Sequence, residues 1–222
     1  MKRKIELCMA LLLLMGMIVA SKRLSELVTS NQIREAENVV VIDAGHGGKD
    51  PGKVGVNDIL EKEVNLQIAN RVKLHLEKKG WKVVMTREDD VMEESKMTDM
   101  KKRVALINKT KPAIVVSIHQ NSYSDPSVKG AQVFYYTHSE MSKNAATIMQ
   151  QELKKMDDGN TREIKANGTF YMLKKTEVPT IIVECGFLSN PEEAKRLTTE
   201  NYQEELAKAI CEGTIKWSET QE

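Results

Sequence analysis

The chain has 222 residues, of which 41% are hydrophobic and 29% are charged, and its formal net charge at pH 7 is +1. This length and composition suit one folded domain with a short tail and argue against extensive disorder. The small net charge provides no broad basic surface for nucleic acid, and three cysteines without a C-x-x-C pair cannot build a disulfide scaffold.

The first twenty residues differ in character from the rest of the chain. A basic start at residues 2–4 precedes an uncharged run over 7–20. This pattern is typical of a secretory signal peptide, and the run is shorter than the about 20 apolar residues that cross a membrane. We therefore predict that residues 1–20 are a signal peptide or, alternatively, an N-terminal membrane anchor. Residues 21–38 are predicted to be a linker, and the mature protein is expected to work outside the cytoplasm.

From Val39 onward, predicted strands alternate with predicted helices. Apolar runs rich in β-branched residues predict strands over 39–42, 82–87, 113–118, 131–136 and 180–183. Amphipathic or well-capped segments predict helices over 60–79, 98–108, 140–155, from 191 onward, and over 201–217. Thr98 is the expected N-cap of the second helix. This alternation predicts an α/β fold, a mainly parallel twisted sheet of about five or six strands with helices on both faces. It occupies residues 39–217, and residues 218–222 form a tail.

Polar residues follow three of these strands, at the edge of the sheet where ligands bind in open α/β folds. His46 follows the first strand, His119 the third and Glu184 the fifth, and Glu61 begins the first long helix. Two imidazoles and a carboxylate are typical ligands of catalytic zinc, and a further carboxylate can act as general base. Taken singly, His119 also fits a buried structural histidine, and Glu61 fits a solvated helix turn.

Cys185 offers an alternative chemistry next to Glu184. It could act as a nucleophile with His119 as its base, or it could ligate zinc. Consecutive residues of a strand point to opposite faces, so Cys185 is expected to face the core if Glu184 faces the site.

Five sequence blocks resemble a known enzyme family. They are VIDAGHGG at 41–48, EKEVNL at 61–66, TR at 86–87, VSIHQN at 116–121 and VECGFLSN at 183–190. Their content and order resemble the zinc-dependent N-acetylmuramoyl-L-alanine amidases of the Amidase_3 type. The resemblance implies that His46, Glu61 and His119 bind one Zn²⁺ ion and that Glu184 is the catalytic glutamate.

The resemblance also implies the reaction, which is hydrolysis of the amide between N-acetylmuramic acid and L-alanine in peptidoglycan. Asn121, Arg87 and Arg103 are candidates for substrate contacts, although each could equally be an ordinary structural polar group. A non-catalytic peptidoglycan-binding protein with a structural metal is the second alternative to the amidase, beside the cysteine hydrolase.

Its size, its N-terminal apolar segment and the lack of a wall-binding module resemble the spore-forming bacterial subgroup of that family. This implies action on spore-cortex peptidoglycan, with removal of the peptide stem before muramic δ-lactam formation. The protein is then expected in the cell envelope or on the cortex side of the membrane. We expect no nucleic-acid partner. An accessory protein for targeting or activation and membrane association through residues 1–20 are further expectations.

Overall fold

The computed structural model describes residues 15–23 and 38–221 of the chain. Residues 15–23 are helical. The predicted leader and linker lie mostly outside the described residues, so both stay predictions. Among the described helices, none combines the length and the apolar character needed to cross a membrane. The elements that carry the candidate site belong to one compact unit, Asn38–Glu222.

Six strands form a single sheet within this unit. They are β1 (Val39–Ala44), β2 (Lys82–Met85), β3 (Ile114–Asn121), β4 (Gln132–Tyr136), β5 (Lys165–Asn167) and β6 (Thr180–Phe187). Their order across the sheet is β2-β1-β3-β6-β4-β5. All neighbours are parallel except β4 and β6, which are antiparallel. The predicted α/β fold with a mainly parallel sheet is therefore confirmed.

Helices cover both faces of the sheet. They are α1 (Glu61–Lys78), α2 (Lys96–Thr110), α3 (Glu140–Met156), α4 (Tyr171–Lys175), α5 (Pro191–Leu197) and α6 (Glu200–Glu219). Val40 and Ile42 of β1 pack in one core cluster with α1, α3 and α6, whereas Val41 packs in another with α2 and α4. Burial on both faces explains why the central strands are continuous apolar runs rather than alternating ones. Each buried Val or Ile side chain contributes about 1.5–3 kcal/mol to folding.

Two elements were not predicted, and several element bounds differ from the predictions. β3 and β6 continue to Asn121 and Phe187, beyond the predicted ends at 118 and 183, so His119 and Glu184 lie within these strands near their carboxyl ends. β2 ends at Met85 rather than at 87.

The edge strand β5 and the five-residue helix α4 were not predicted, since neither contains a periodic apolar run. The helix predicted from Thr98 begins earlier, at Lys96. The N-cap is Ser95, whose hydroxyl accepts a hydrogen bond from the Thr98 N–H at 3.2 Å, so the prediction that Thr98 is the cap is wrong. Ser95 has extended backbone angles, as a cap requires, whereas Thr98 is already helical.

Candidate metal centre

The strand order brings the polar residues at three strand ends together. β3 lies between β1 and β6, and its His119 is paired in register with Glu184 of β6. His46 lies two residues beyond the end of β1, and Glu61 is the first residue of α1. Parallel strands place their carboxyl ends at the same edge of the sheet, so all four side chains reach one place.

Three of these side chains place potential metal-ligand atoms close together. One atom each from His46, Glu61 and His119 lie within 4.8 Å of one another. The Nε2 atom of His46 is 3.2 Å from Oε2 of Glu61, and Nδ1 of His119 is 2.9 Å from Oε1 of the same carboxylate. Two imidazole nitrogens and one carboxylate oxygen at this spacing can hold a metal ion.

Two glycines allow this close approach. A Cβ atom at Gly45 would lie 2.2 Å from Cε1 of the His119 ring. A Cβ atom at Gly52 would lie 2.5 Å from Oε2 of Glu61, and the backbone there has a φ of +69°. Only glycine fits at either position without displacing a candidate ligand.

The Glu61 carboxylate is buried, with 2% of the residue exposed, yet it is fully hydrogen-bonded. It lies against both imidazoles, and it accepts hydrogen bonds from His119 and from the backbone N–H groups of Lys53 and Gln120, the last two at 2.8 and 3.1 Å. Burial alone raises its pKa, but the adjacent His119 and His46 side chains, His119 foremost, hold that pKa well below its usual range. Glu61 is therefore ionised, as a metal ligand must be.

The electrostatic field at His119 favours a positive charge. Burial lowers the pKa of His119, but the hydrogen bond and charge of Glu61, with the charges of Glu184 and Asp43, raise it to about 9. A site that favours a proton on the partly buried His119 imidazole also favours a metal cation in place of that proton. The donor set and the field both fit a divalent ion.

Glu184 provides a second carboxyl group next to these ligands. Its Oε2 atom is buried and has no hydrogen-bond partner among the described residues. Burial raises the pKa of Glu184 to about 7; the charge of Glu61 adds to this, and His119 and His46 oppose it. Buried unpaired carboxyl oxygens are rare and costly, so this atom points to a functional role.

All four residues line one cavity of about 520 Å³. Phe170, Tyr171 and Met172 form part of its wall, and α4, which begins at Tyr171, supplies two of them. This volume is within the range of about 300–1,000 Å³ typical of small-molecule sites.

Two buried arginines lie beneath the loop that carries His46. Arg103 donates to the carbonyl oxygens of Ala44 and His46, at 2.6 and 2.7 Å. Arg87 donates to the carbonyl oxygens of Ala44 and Gly45, at 2.8 and 3.1 Å. Of the three residues predicted as substrate contacts, Arg103 and Asn121 line the cavity, and that prediction stays open for both. Arg87 does not line it, and its hydrogen bonds favour the alternative, a structural polar group.

These contacts hold His46 in an uncommon conformation. Its backbone φ is +63°, in the left-handed region that non-glycine residues rarely adopt. The hydrogen bond from Arg103 to the His46 carbonyl fixes the peptide in this orientation. Strained backbone of this kind clusters at functional sites, where the surrounding structure imposes it.

Asp43 joins Arg103 to the sheet. It is 1% exposed and accepts hydrogen bonds from Arg103, Ser117 and Thr86. Burial alone raises its pKa, but these partners lower it from 3.8 to about 2. Because the folded value lies below the unfolded one, Asp43 stabilises the fold above pH 3.8, and this contribution is lost as the pH falls towards 2.

Replacing Arg103 with methionine is expected to destabilise the protein by about 3–5 kcal/mol, because Asp43 loses its buried cationic partner. Urea denaturation at pH 7 measures the change in the free energy of unfolding. Lys102→Met on the same helix is the control, since the exposed Lys102 forms a surface ion pair with Glu93 and its loss is expected to leave the free energy of unfolding nearly unchanged. Equal effects of the two substitutions would contradict the buried ion pair.

Cys185 lies on the other side of its strand from Glu184. It is fully buried in the core, and burial raises the pKa of its thiol far above neutrality. A protonated thiol without access to the cavity is neither a nucleophile nor a metal ligand. The geometry therefore disfavours the cysteine-hydrolase alternative.

Comparisons with known proteins identify the family of the chain. The family model for N-acetylmuramoyl-L-alanine amidases, Amidase_3, matches residues 40–216. The germination-specific N-acetylmuramoyl-L-alanine amidase of Bacillus subtilis is 35% identical over 188 residues, which cover 81% of this chain and 79% of the relative.

Two solved structures share both fold and sequence with the chain. The CwlD amidase from Clostridioides difficile, in complex with the GerS lipoprotein, is 36% identical with a TM-score of 0.79, covering 82% of this chain and 99% of that one. The catalytic domain of CwlV, an N-acetylmuramoyl-L-alanine amidase from Bacillus (Paenibacillus) polymyxa var. colistinus, is 34% identical with a TM-score of 0.74, covering 81% and 97%. Since the family match extends from β1 to α6 and includes every strand end of the candidate centre, the chain belongs to the family of N-acetylmuramoyl-L-alanine amidases.

Proposed function

We propose that this amidase uses one zinc ion held by His46, Glu61 and His119, with Glu184 as its general base and acid. The observation that carries the proposal is that three potential ligand atoms lie within 4.8 Å of one another in a cavity that Glu184 also lines. One oxygen of the Glu184 carboxyl group has no hydrogen-bond partner among the described residues. Zinc prefers nitrogen and oxygen ligands of this kind and keeps an open position in catalytic sites.

Zinc held by these residues would act as a Lewis acid, which polarises the amide carbonyl and lowers the pKa of water. The Glu184 carboxylate accepts a proton from the water that attacks the carbonyl carbon. As the carbon–nitrogen bond breaks, Glu184 returns that proton to the departing amino group of L-alanine. The products are a carboxylate on the lactyl group of N-acetylmuramic acid and a stem peptide with a free amine.

Spore-cortex peptidoglycan is the substrate that the relatives favour. The Bacillus subtilis relative is named germination-specific, and the chain covers 79% of its length. This substrate lies outside the cytoplasm, in line with the signal or anchor predicted for residues 1–20. Membrane association through those residues stays a prediction.

An accessory protein is a further part of the proposal. The CwlD amidase of Clostridioides difficile was solved in complex with a lipoprotein, and this chain covers 99% of that structure's chain at 36% identity. That complex supports a partner of the same kind for targeting or activation of this amidase.

Digestion of purified cortex peptidoglycan, followed by mass spectrometry, tests the proposed function. We expect products with free L-alanine amino groups, loss of the reaction with a zinc chelator, and recovery when zinc is restored. Iodoacetamide is expected to have no effect, because Cys185 is buried.

Inhibition by iodoacetamide but not by the chelator would instead support the cysteine hydrolase. Binding to peptidoglycan without release of amines would support the non-catalytic alternative. Cleavage of vegetative-wall peptidoglycan alone would contradict the cortex assignment.

A further inference from the structure

The His46 ring contacts two carboxylates, one on each nitrogen. Its Nε2 atom faces Glu61, at 3.2 Å from Oε2. Its Nδ1 atom is 2.8 Å from Oδ2 of Asp50, a residue outside the candidate ligand set. Asp50 belongs neither to the proposed ligand set nor to the proposed proton transfer.

The contact with Asp50 determines which nitrogen of His46 can bind a metal. An ionised carboxylate has no hydrogen to donate, so Nδ1 of His46 must be the donor in this hydrogen bond. A neutral imidazole carries only one N–H group. With that hydrogen on Nδ1, Nε2 keeps its lone pair, and it is Nε2 that faces Glu61 and the cavity.

Asp50 is itself held in place. Its backbone N–H and carbonyl both bond to Gly47, at 2.9 and 3.0 Å, which closes a tight loop after His46. Its Oδ2 atom lies 3.0 Å from the Lys96 ammonium, and its Oδ1 accepts the Gly52 N–H at 3.3 Å. The carboxylate is therefore fixed in position relative to the His46 ring.

We propose that Asp50 is a positioning residue of the metal centre: it orients the His46 ring and fixes the tautomer that leaves Nε2 free for the ion. The inference rests on the proposed function, because it requires His46 to be a metal ligand. Carboxylates in this relation to a ligating histidine raise metal affinity, and their loss costs about 10–100-fold.

The test compares zinc dissociation constants of the full chain and its variants, by competition with a chromophoric chelator. Asp50→Asn keeps the size of the side chain and an oxygen for the Gly52 N–H. However, its amide can donate to Nδ1 and so stabilise the tautomer that cannot bind. We expect Asp50→Asn and Asp50→Ala each to raise the zinc dissociation constant by about 10–100-fold.

Asp90→Asn is the matched control. Asp90 supports the same loop at Gly48, whose N–H it accepts at 2.8 Å, and it contacts Lys62. Its recorded contacts include none of the candidate ligands. We expect its zinc affinity to equal that of the parent. Thermal unfolding of the metal-free proteins shows whether each variant folds. If Asp50→Ala does not fold, the zinc affinity of Asp50→Asn tests the inference.

Parent-like zinc affinity in Asp50→Asn would overturn the inference, because a role in loop geometry alone is rescued by asparagine. Equal losses in Asp50→Asn and Asp90→Asn would also overturn it, since the effect would then belong to the whole loop. A parent protein that binds no zinc would contradict the proposed centre itself. A parent that binds zinc, with the same affinity in Asp50→Asn, would contradict only the positioning role of Asp50.

Discussion

Replacing Glu184 with glutamine is expected to slow amide hydrolysis by about 10²–10⁴-fold, the usual cost of losing a general base. Glutamine has nearly the same shape but cannot accept a proton from water or return it to the amine. Because Oε2 of Glu184 has no hydrogen-bond partner among the described residues, the substitution breaks no observed contact of that atom. A loss of activity would therefore result from the loss of the general base and not from a change in structure.

The rate is measured on a soluble muropeptide, and the zinc content of the same preparation is measured by elemental analysis. We expect one zinc ion per chain in both the parent and Glu184→Gln. Glu192→Gln, at an exposed position of α5, is the control and should keep full activity. A Glu184→Gln enzyme as fast as the parent would remove Glu184 as the base.

Replacing His119 with alanine is expected to lower the zinc content well below one ion per chain and to abolish activity with it. The substitution removes one of only three protein ligands. It also leaves Oε1 of Glu61 without the imidazole that lies 2.9 Å away. Structural zinc sites usually have four protein ligands and catalytic sites three, so the two remaining ligands are too few for either.

Elemental analysis after dialysis against metal-free buffer measures the occupancy. His138→Ala is the matched control, because His138 is an exposed histidine that lies against Tyr136 and outside the cavity lining. It should retain the parent's zinc content. Unchanged occupancy in His119→Ala would exclude His119 from the ligand set.

The sequence alone predicted much of the sheet, for a definite physical reason. Strands buried on both faces, such as β1, β3 and β6, must be apolar at nearly every position, and such runs are visible in the sequence. The edge strand β5 is only Lys165–Asn167 and contains no apolar run. It exists because it pairs with β4, and that pairing is a tertiary contact.

The candidate site was predictable where it depends on strand ends. His46, His119 and Glu184 each follow an apolar run, and the sheet brings them together. Glu61 was assigned by family resemblance, since its charged neighbours suggest a solvated helix turn. In the structure Glu61 is 2% exposed, whereas Glu63 faces solvent.

The supporting residues were not predictable from local sequence. Arg103 reaches the His46 carbonyl from a helix 57 residues further along the chain, so nothing local distinguishes it from a substrate contact. Asp50 precedes a proline and a glycine and looks like an ordinary turn residue. Its contact with Nδ1 of His46 depends on the left-handed backbone at His46, which the sequence pattern does not show.

Anomalous diffraction at the zinc absorption edge, on crystals of the zinc-loaded protein, tests the metal centre most directly. We expect a single strong peak at about 2.0–2.2 Å from one atom each of His46, Glu61 and His119. Glu184 should lie beside that peak without ligating it. A peak bound by other residues, or a ligand set that includes Cys185 or Glu184 in place of one of the three, would contradict the proposed centre.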